Sequence, residues 1–506
     1  MAPPARRWPA LGALLLAAGA GAESAPTGWT EVQTAHVTLK SDLRPDDARR
    51  AAQAVERSRT ALIAAAWAGA KLQPERIEVV VFAKQSDFWR YFGNRVSGLF
   101  VHGQYPPTAF LYGPPEKWEH RATLALEETT SVLKHELAHH LAAFIYQRQP
   151  RWFSEGLAQY LETLRIAEDG KTAVLGEVNL QALSAYNHVH VKVDDALAWS
   201  GKFDAQDEVM TAGLYGTSWL LVHWLSNTHP SEFIQYQTLL AKGIDPAKAW
   251  KVVFPNLSTS DIDTQLHQYA DHGDYRYFNV SLPAVETTLA ERPLASADVH
   301  AVRAAAALAG AETLVNGAPQ LADAQTELAA ALADDPGNVR ALRMKLRFVK
   351  PEERVALGRR ATAAHPEDGL AWLTLAETLR GAPGSWDEQT KAYEKAMLLL
   401  PDNPTAFNNL AWLYVEKGRA KDALPLALSA ARLAPWDSGT LDTLAAALFG
   451  VGRCSEAVSI QRRALDLLPE RVGPSVRADF AKRLAEFQQK CGLMSAPSSP
   501  ASETAH

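Results

Sequence analysis

From residue 297 the chain is periodic. Pro336, Pro366, Pro401, Pro435 and Pro469 recur, the last three at intervals of 34 residues. An alanine stands five residues before each of them: Ala331, Ala361, Ala396, Ala430 and Ala464. A small residue at a fixed place lets paired helices approach closely, and a proline ends the second helix of a unit. This part of the chain therefore reads as a solenoid of stacked helix pairs and leaves no room for a sheet. Gly418/Ala423 and Gly452/Ala457 repeat in the same register. The upstream units are less regular: Pro336 and Pro366 are 30 apart, and Gln389 and Arg354 occupy the usual small position.

Within the regular units, Ala406-Phe-Asn-Asn-Leu-Ala-Trp-Leu-Tyr414 followed by Gly418 resembles a tetratricopeptide helix pair, over 402–469. The resemblance implies about five repeats over 297–469, a capping helix to Cys491 and a concave surface suited to an extended peptide or a protein partner. The whole segment is 297–491, and the Ser/Pro-rich tail 492–506 reads as disordered. Both cysteines of the chain fall here. Cys454 starts the second helix of the last repeat and Cys491 ends the antiparallel cap, which brings them near each other. In an oxidising compartment they can form a disulfide, and the sequence leaves open whether they do. A catalytic cysteine is the other reading, and neither has a nearby histidine.

The N-terminus has a different character. Arg6 and Arg7 precede an apolar run from Leu11 to Ala18, and Ala20-Gly21-Ala22 offers a small-residue cleavage site. That is the pattern of a secretory signal peptide over 1–22, with an apolar run too short to span a bilayer. The expected location is periplasmic or secreted, with no membrane span after cleavage. A net charge of -6 gives no support to nucleic-acid binding.

Between leader and repeats, 23–285 reads as α+β. Trp29–Leu39, Arg76–Phe82, Gly98–His102 and Thr108–Tyr112 are expected strands, the last two joined across a Pro-Pro turn. Asp46–Ala66, Ser86–Phe92 and Thr129–Tyr146 are expected helices, with further helices over 154–166 and 208–226.

The chemistry is concentrated in Leu133-Lys-His-Glu-Leu-Ala-His-His-Leu141. His135 and His139 are four apart, so both imidazoles share one helix face. Glu136 lies alongside. Two neutral imidazoles with an adjacent carboxylate are the HExxH arrangement of zinc peptidases, in which zinc keeps one position open for water. With only two cysteines, a Cys-based zinc cluster is excluded, so the third ligand must be sought elsewhere. Pro150-Arg-Trp-Phe-Ser-Glu-Gly-Leu-Ala-Gln-Tyr160 supplies one. Ser154 is the expected cap of the next helix, Glu155 projects from its first turn, and Gly156 permits close approach.

His135-Glu-Leu-Ala-His139 with Trp152-Phe-Ser-Glu155-Gly-Leu-Ala resembles the gluzincins, specifically the peptidase MA-like group that often carries tetratricopeptide repeats. The resemblance covers about 29–280. It implies a zincin-like fold, Zn2+ held by His135, His139 and Glu155, and Glu136 as general base and acid. It also implies a cleft edge at the strand Thr108–Tyr112, where a peptide substrate would add as a strand. A further donor for the oxyanion is usual in gluzincins. Tyr215, in Leu214-Tyr-Gly-Thr-Ser-Trp219 at an expected helix start, is the candidate, ahead of Tyr160.

The remaining histidines read as structural. His140 points about 100° away from the ligand face. His188 and His190 share one side of an expected strand without a third partner, and His223 lies in an apolar helix as a core residue. Glu127, Glu128, Gln159 and Glu162 are candidates to hold a ligand from behind. The resulting expectation is an exported zinc peptidase acting on peptide or protein. The alternative is a catalytically silent pseudopeptidase serving as a repeat adaptor.

Overall fold

The computed structural model describes residues 28–70, 76–94, 98–101, 107–116, 129–199, 208–285, 288–314, 316–468 and 472–492. The expected signal peptide 1–22, Glu127, Glu128, Pro469 and nearly all of the tail lie outside them, as do His102 and Pro106 of the hairpin.

In chain order the first part comprises β1 (Thr30–Gln33), β2 (Val37–Ser41), α1 (Pro45–Ala66), β3 (Ile77–Phe82), α2 (Gln85–Phe92), β4 (Leu99–Val101) and β5 (Thr108–Tyr112). Then follow α3 (Thr129–Ile145), α4 (Arg151–Glu162), β6 (Arg165–Ile166), β7 (Thr172–Leu175), α5 (Leu180–His188) and α6 (Val193–Leu197). α7 (Glu208–Thr228), α8 (Pro230–Ala241), α9 (Pro246–Val253), α10 (Thr259–His272), β8 (Phe278–Ser281) and β9 (Ala290–Pro293) complete it.

Six strands form one mixed sheet in the order β4-β5-β3-β2-β1-β9. β3 is parallel to both β2 and β5, and all six of its residues are buried, as its run of Val79, Val80 and Val81 requires. The strand expected over Trp29–Leu39 is in fact the hairpin of β1 and β2. The chain reverses at Thr34, whose backbone N–H donates to Val37 O at 2.9 Å while its hydroxyl donates to Glu56. β5 does not form the cleft edge. Its backbone is used on one side by β3 and on the other by antiparallel β4, so the edge strand is β4. β9 falls in the stretch between the two expected segments and joins the sheet through β1. Ala290-Glu-Arg-Pro293 has no β-branched residue and all four residues are exposed, so its sequence carries no strand signal.

α3 lies across the sheet with Leu133, Leu137 and Leu141 buried, beside Phe100 of β4 and Leu111 of β5. α4 crosses α7 at close range. A Cβ on Gly156 would overlap the carbonyl oxygen of Ser218, so only glycine fits at that crossing. Trp152 and Phe153 anchor the start of α4 among Phe233, Tyr236 and Trp250.

The C-terminal part is helical. α11 (Ser296–Thr313), α12 (Ala318–Asp334), α13 (Val339–Lys345), α14 (Pro351–Ala364), α15 (Gly369–Thr378) and α16 (Trp386–Leu399) are followed by α17 (Pro404–Glu416), α18 (Ala420–Leu433), α19 (Ser438–Gly450), α20 (Cys454–Asp466) and α21 (Pro474–Lys490). They make five consecutive pairs and a final helix. Second helices end two residues before Pro336, Pro366, Pro401 and Pro435. The alanines of the repeat, Ala331, Ala361, Ala396, Ala430 and Ala464, are each 0% exposed, as a close helix crossing demands. Gln389, at a position that is alanine in the last two repeats (Ala423 and Ala457), is buried and its amide donates to Ala376 O at 3.0 Å. Cys454 and Cys491 are joined in a disulfide.

The repeats are not a free arm. α11 packs on α2, where a Cβ on Gly310 would overlap the carbonyl oxygen of Tyr91. Arg340 of α13 donates to Glu78 of β3 at 2.9 Å, and Lys40 of β2 donates to the same carboxylate at 2.7 Å. Further along, Trp436, in the turn between α18 and α19, meets Phe144 and His140 of α3 with ring centroids 4.5 and 5.2 Å away. Arg148, just past α3, pairs with Asp466. Among the described residues no helix is long and apolar enough to cross a membrane.

Candidate metal centre

The 3.6-residue period sets His135 and His139 one turn apart on α3, and their Nε2 atoms are 3.1 Å apart. α4 begins at Arg151, with Pro150 in the capping position. Ser154 is therefore not the cap but lies inside the first turn, because Pro150 supplies the extended entry and residues 151–153 are already helical. This start carries Glu155 toward the two imidazoles: Glu155 Oε2 is 3.3 Å from His139 Nε2 and 3.6 Å from His135 Nε2. The three side chains are the one such group among the described residues whose ligand atoms all lie within 4.8 Å of one another.

Those separations fit a metal. Ligands about 2.0–2.1 Å from a tetrahedral zinc stand roughly 3.3 Å from one another. Two imidazole nitrogens 3.1 Å apart, with one carboxylate oxygen 3.3 and 3.6 Å from them, are spaced to share either a proton or a metal ion. His2Glu is a known catalytic zinc set, leaving a fourth position open. The three side chains remain 16–20% exposed, so the point they share is reachable from solvent.

The outer partners fix both rings. His135 Nδ1 is 2.7 Å from Glu162 Oε2, and Asn179 Nδ2 donates to the other oxygen of Glu162, Oε1, at 2.7 Å. His139 Nδ1 is 3.1 Å from Ser154 Oγ. With each Nδ1 engaged, each Nε2 lone pair is turned toward the shared point. Of the candidate supporting residues, Glu162 takes this role. Gln159 does not; its side-chain oxygen is buried without a hydrogen-bond partner. Ser154 and Asn179 had no such role assigned from sequence, where Ser154 resembled an ordinary helix cap and Asn179 lay in an unassigned loop.

Charge in the site favours a cation. Burial works against a charged His135, yet hydrogen bonds to Glu155 and Glu162 more than offset it and hold the imidazole up at about 10. The Glu155 carboxyl is held well below its usual range despite burial, through the same two histidines. Burial raises Glu136, partly opposed by His139 and His135. A field that draws a proton onto a buried imidazole draws a dication in the same way.

Tyr215 lies two turns inside α7, not at a helix start, because α7 begins at Glu208. Its phenol accepts a hydrogen bond from Arg151, and burial together with the charge of Glu155 pushes it up to about 12. The ring rests on Trp199, with centroids 5.3 Å apart. Tyr160 is buried beside His223 in the core.

The other histidines are accounted for by packing. His140 is buried between Phe100, Phe144 and Trp436, and burial drives it down to about 3. His223 is fully buried; its Nε2 donates to Gly176 O and its Nδ1 accepts from Tyr269, both at 2.9 Å. His188 ends helix α5 and so does not share a strand with His190, whose ring meets Tyr186 and His267.

A sequence model of a family described only as a protein of unknown function (DUF1570) matches residues 129–245, the segment holding His135, Glu136, His139, Glu155 and Tyr215. No curated protein matches the chain. Among solved structures, the chain is similar to MamA (residues 41 to the end) from Desulfovibrio magneticus RS-1, at 22% identity and a TM-score of 0.25, covering 31% of this chain and 95% of that one. It is also similar to a thermophilic TPR protein of Thermus thermophilus, at 18% identity and a TM-score of 0.30, covering 38% of this chain and all of that one.

Proposed function

We propose that the chain is an exported zinc-dependent peptide hydrolase whose repeats bind a peptide or protein. The observation that supports this most is the convergence of His135 Nε2, His139 Nε2 and Glu155 Oε2 at 3.1–3.6 Å, with Glu162 and Ser154 behind the two imidazoles. Zinc held by these three residues would supply a bound water that ionises near neutral pH. Glu136, next to a ligand and not itself one, would accept a proton at its carboxylate and return it to the leaving amine. Its raised pKa suits a group that must both take and give a proton. Tyr215 would donate its phenolic hydrogen bond to the negative charge that develops on the substrate carbonyl. The Cys454–Cys491 bond supports an oxidising compartment, periplasmic or secreted, in line with the leader.

The repeats support a second reading, an adaptor in which the metal site is catalytically silent. Five consecutive helix pairs are the build of an extended protein-binding surface. One comparison separates the two: wild type and Glu136→Gln, each with metal content measured, incubated with unstructured casein with and without chelator. The hydrolase reading expects chelator-sensitive cleavage by wild type, and a loss of roughly 10²- to 10⁴-fold in the variant with its zinc retained. Bound zinc without cleavage by either protein supports the adaptor.

A further inference from the structure

Arg151 opens α4 one turn before Glu155, on the same face, with its Nε 4.0 Å from Glu155 Oε1. Glu155 thus turns one oxygen to the histidines and the other to a guanidinium. The guanidinium carbon lies 4.5 Å from the centroid of the Trp199 ring, and Arg151 also donates to Tyr215. Stacking, the phenol and the carboxylate together hold a cation at one place on the rim of the site. Two features speak against a purely structural role. The first turn of a helix disfavours a cation through the backbone dipole, so Arg151 stands where local preference would put an acid. At 4.0 Å the contact with Glu155 is a loose pair, and Glu155 is already fixed by two imidazoles at shorter range. The Arg151 side chain is also 20% exposed, open enough to meet a ligand. Arginine with a planar fork on an aromatic floor is the arrangement that recognises carboxylates.

We propose that Arg151 is a specificity-determining residue that selects peptides carrying a carboxylate beside the bond placed at the metal centre. The carboxylate belongs either to the peptide's own C-terminus or to an Asp or Glu side chain. This rests on the zinc-site reading above. A local breaker of Glu155 geometry would change metal binding; a selector changes the preference among ligands and leaves metal binding alone.

The test uses the full chain loaded with zinc and three dipeptides acylated at the N-terminus with a hydroxamate-bearing group, read by tryptophan fluorescence so that no turnover is needed. One probe is neutral with an amidated end, one has a free C-terminal carboxylate, and one has a glutamate side chain with an amidated end. Wild type is expected to bind one or both carboxylate probes roughly 10- to 100-fold tighter than the neutral one, the size of a charge-assisted hydrogen bond. Which of the two gains identifies the source. Arg151→Gln should lose the difference with one zinc still bound, and Arg151→Lys should keep part of it. Equal binding of all three probes by zinc-loaded wild type, or an undiminished preference in Arg151→Gln, overturns the proposal. Failure of wild type to bind zinc is seen separately in the metal content; it removes the zinc-site reading and this proposal with it.

Discussion

Glu162 Oε2 lies 2.7 Å from His135 Nδ1, and the opposite oxygen of the same carboxylate accepts from Asn179. A residue seven places beyond Glu155 on α4 therefore sets the ring orientation of His135 on α3. Glu162→Gln should weaken zinc binding by roughly 10- to 100-fold, the usual effect of losing an outer partner, while leaving the fold intact. Competition with a zinc chelator of known affinity reads this directly. Ser154→Ala, which removes the partner of His139 Nδ1, should move affinity in the same direction.

The contact of Trp436 with His140 and Phe144 joins the repeats to the back of α3, the helix that carries His135 and His139. Trp436→Ala removes two aromatic contacts and should lower stability by about 1–3 kcal/mol, measured by urea unfolding. It should also raise the rate of limited proteolysis between the two parts. Unchanged unfolding and proteolysis would mean that the contact carries no weight.

Cys454 and Cys491 are 37 residues apart, so their bond closes a long loop. The chain-entropy relation gives about 4 kcal/mol for a loop of this length. Cys454→Ser, or reduction, should loosen the last repeat and the cap first. Hydrogen exchange should rise in 454–490 and stay unchanged around His135.

Glu78 is buried with Lys40 and Arg340 at the junction of sheet and repeats. Burial raises its pKa, and attraction to Arg340 and Lys40 overcomes this, taking the carboxyl from an ordinary 4.5 down to about 2. A depressed folded value stabilises the protein above the unfolded pKa, and this contribution is lost as pH falls from about 4.5 through about 2. Glu78→Gln removes the carboxylate shared by buried Lys40 and partly exposed Arg340 and should cost about 3 kcal/mol at neutral pH. The gap between wild type and variant should close over that acidic window in pH-dependent unfolding.

The repeats were legible because proline and alanine recur at a fixed interval, and both act through simple sterics: Ala396, Ala430 and Ala464 sit where helices cross. The cluster of His135, His139 and Glu155 was legible because the two histidines are one helical turn apart and Glu155 lies in a nearby helix. What did not show in sequence depends on the fold returning distant segments to each other. β9 has no strand pattern and exists because β1 offers an open edge. The edge position of β4 is set by pairing order, which no single strand encodes. Asn179 and Arg151 come close to the site only through the packing of α4 against α3 and the turn before α5. Among the described residues, Trp436 meets α3, and Arg148 just past it pairs with Asp466, 318 residues away.

A zinc ion held by His135, His139 and Glu155 is what the whole functional picture depends on. Metal content of the purified full chain, determined by mass spectrometry beside His139→Ala, tests it most directly. The expected result is one zinc per chain in wild type and none in the variant, with both proteins folded. Wild type without zinc after incubation with the metal, or zinc retained in full by the variant, would contradict it.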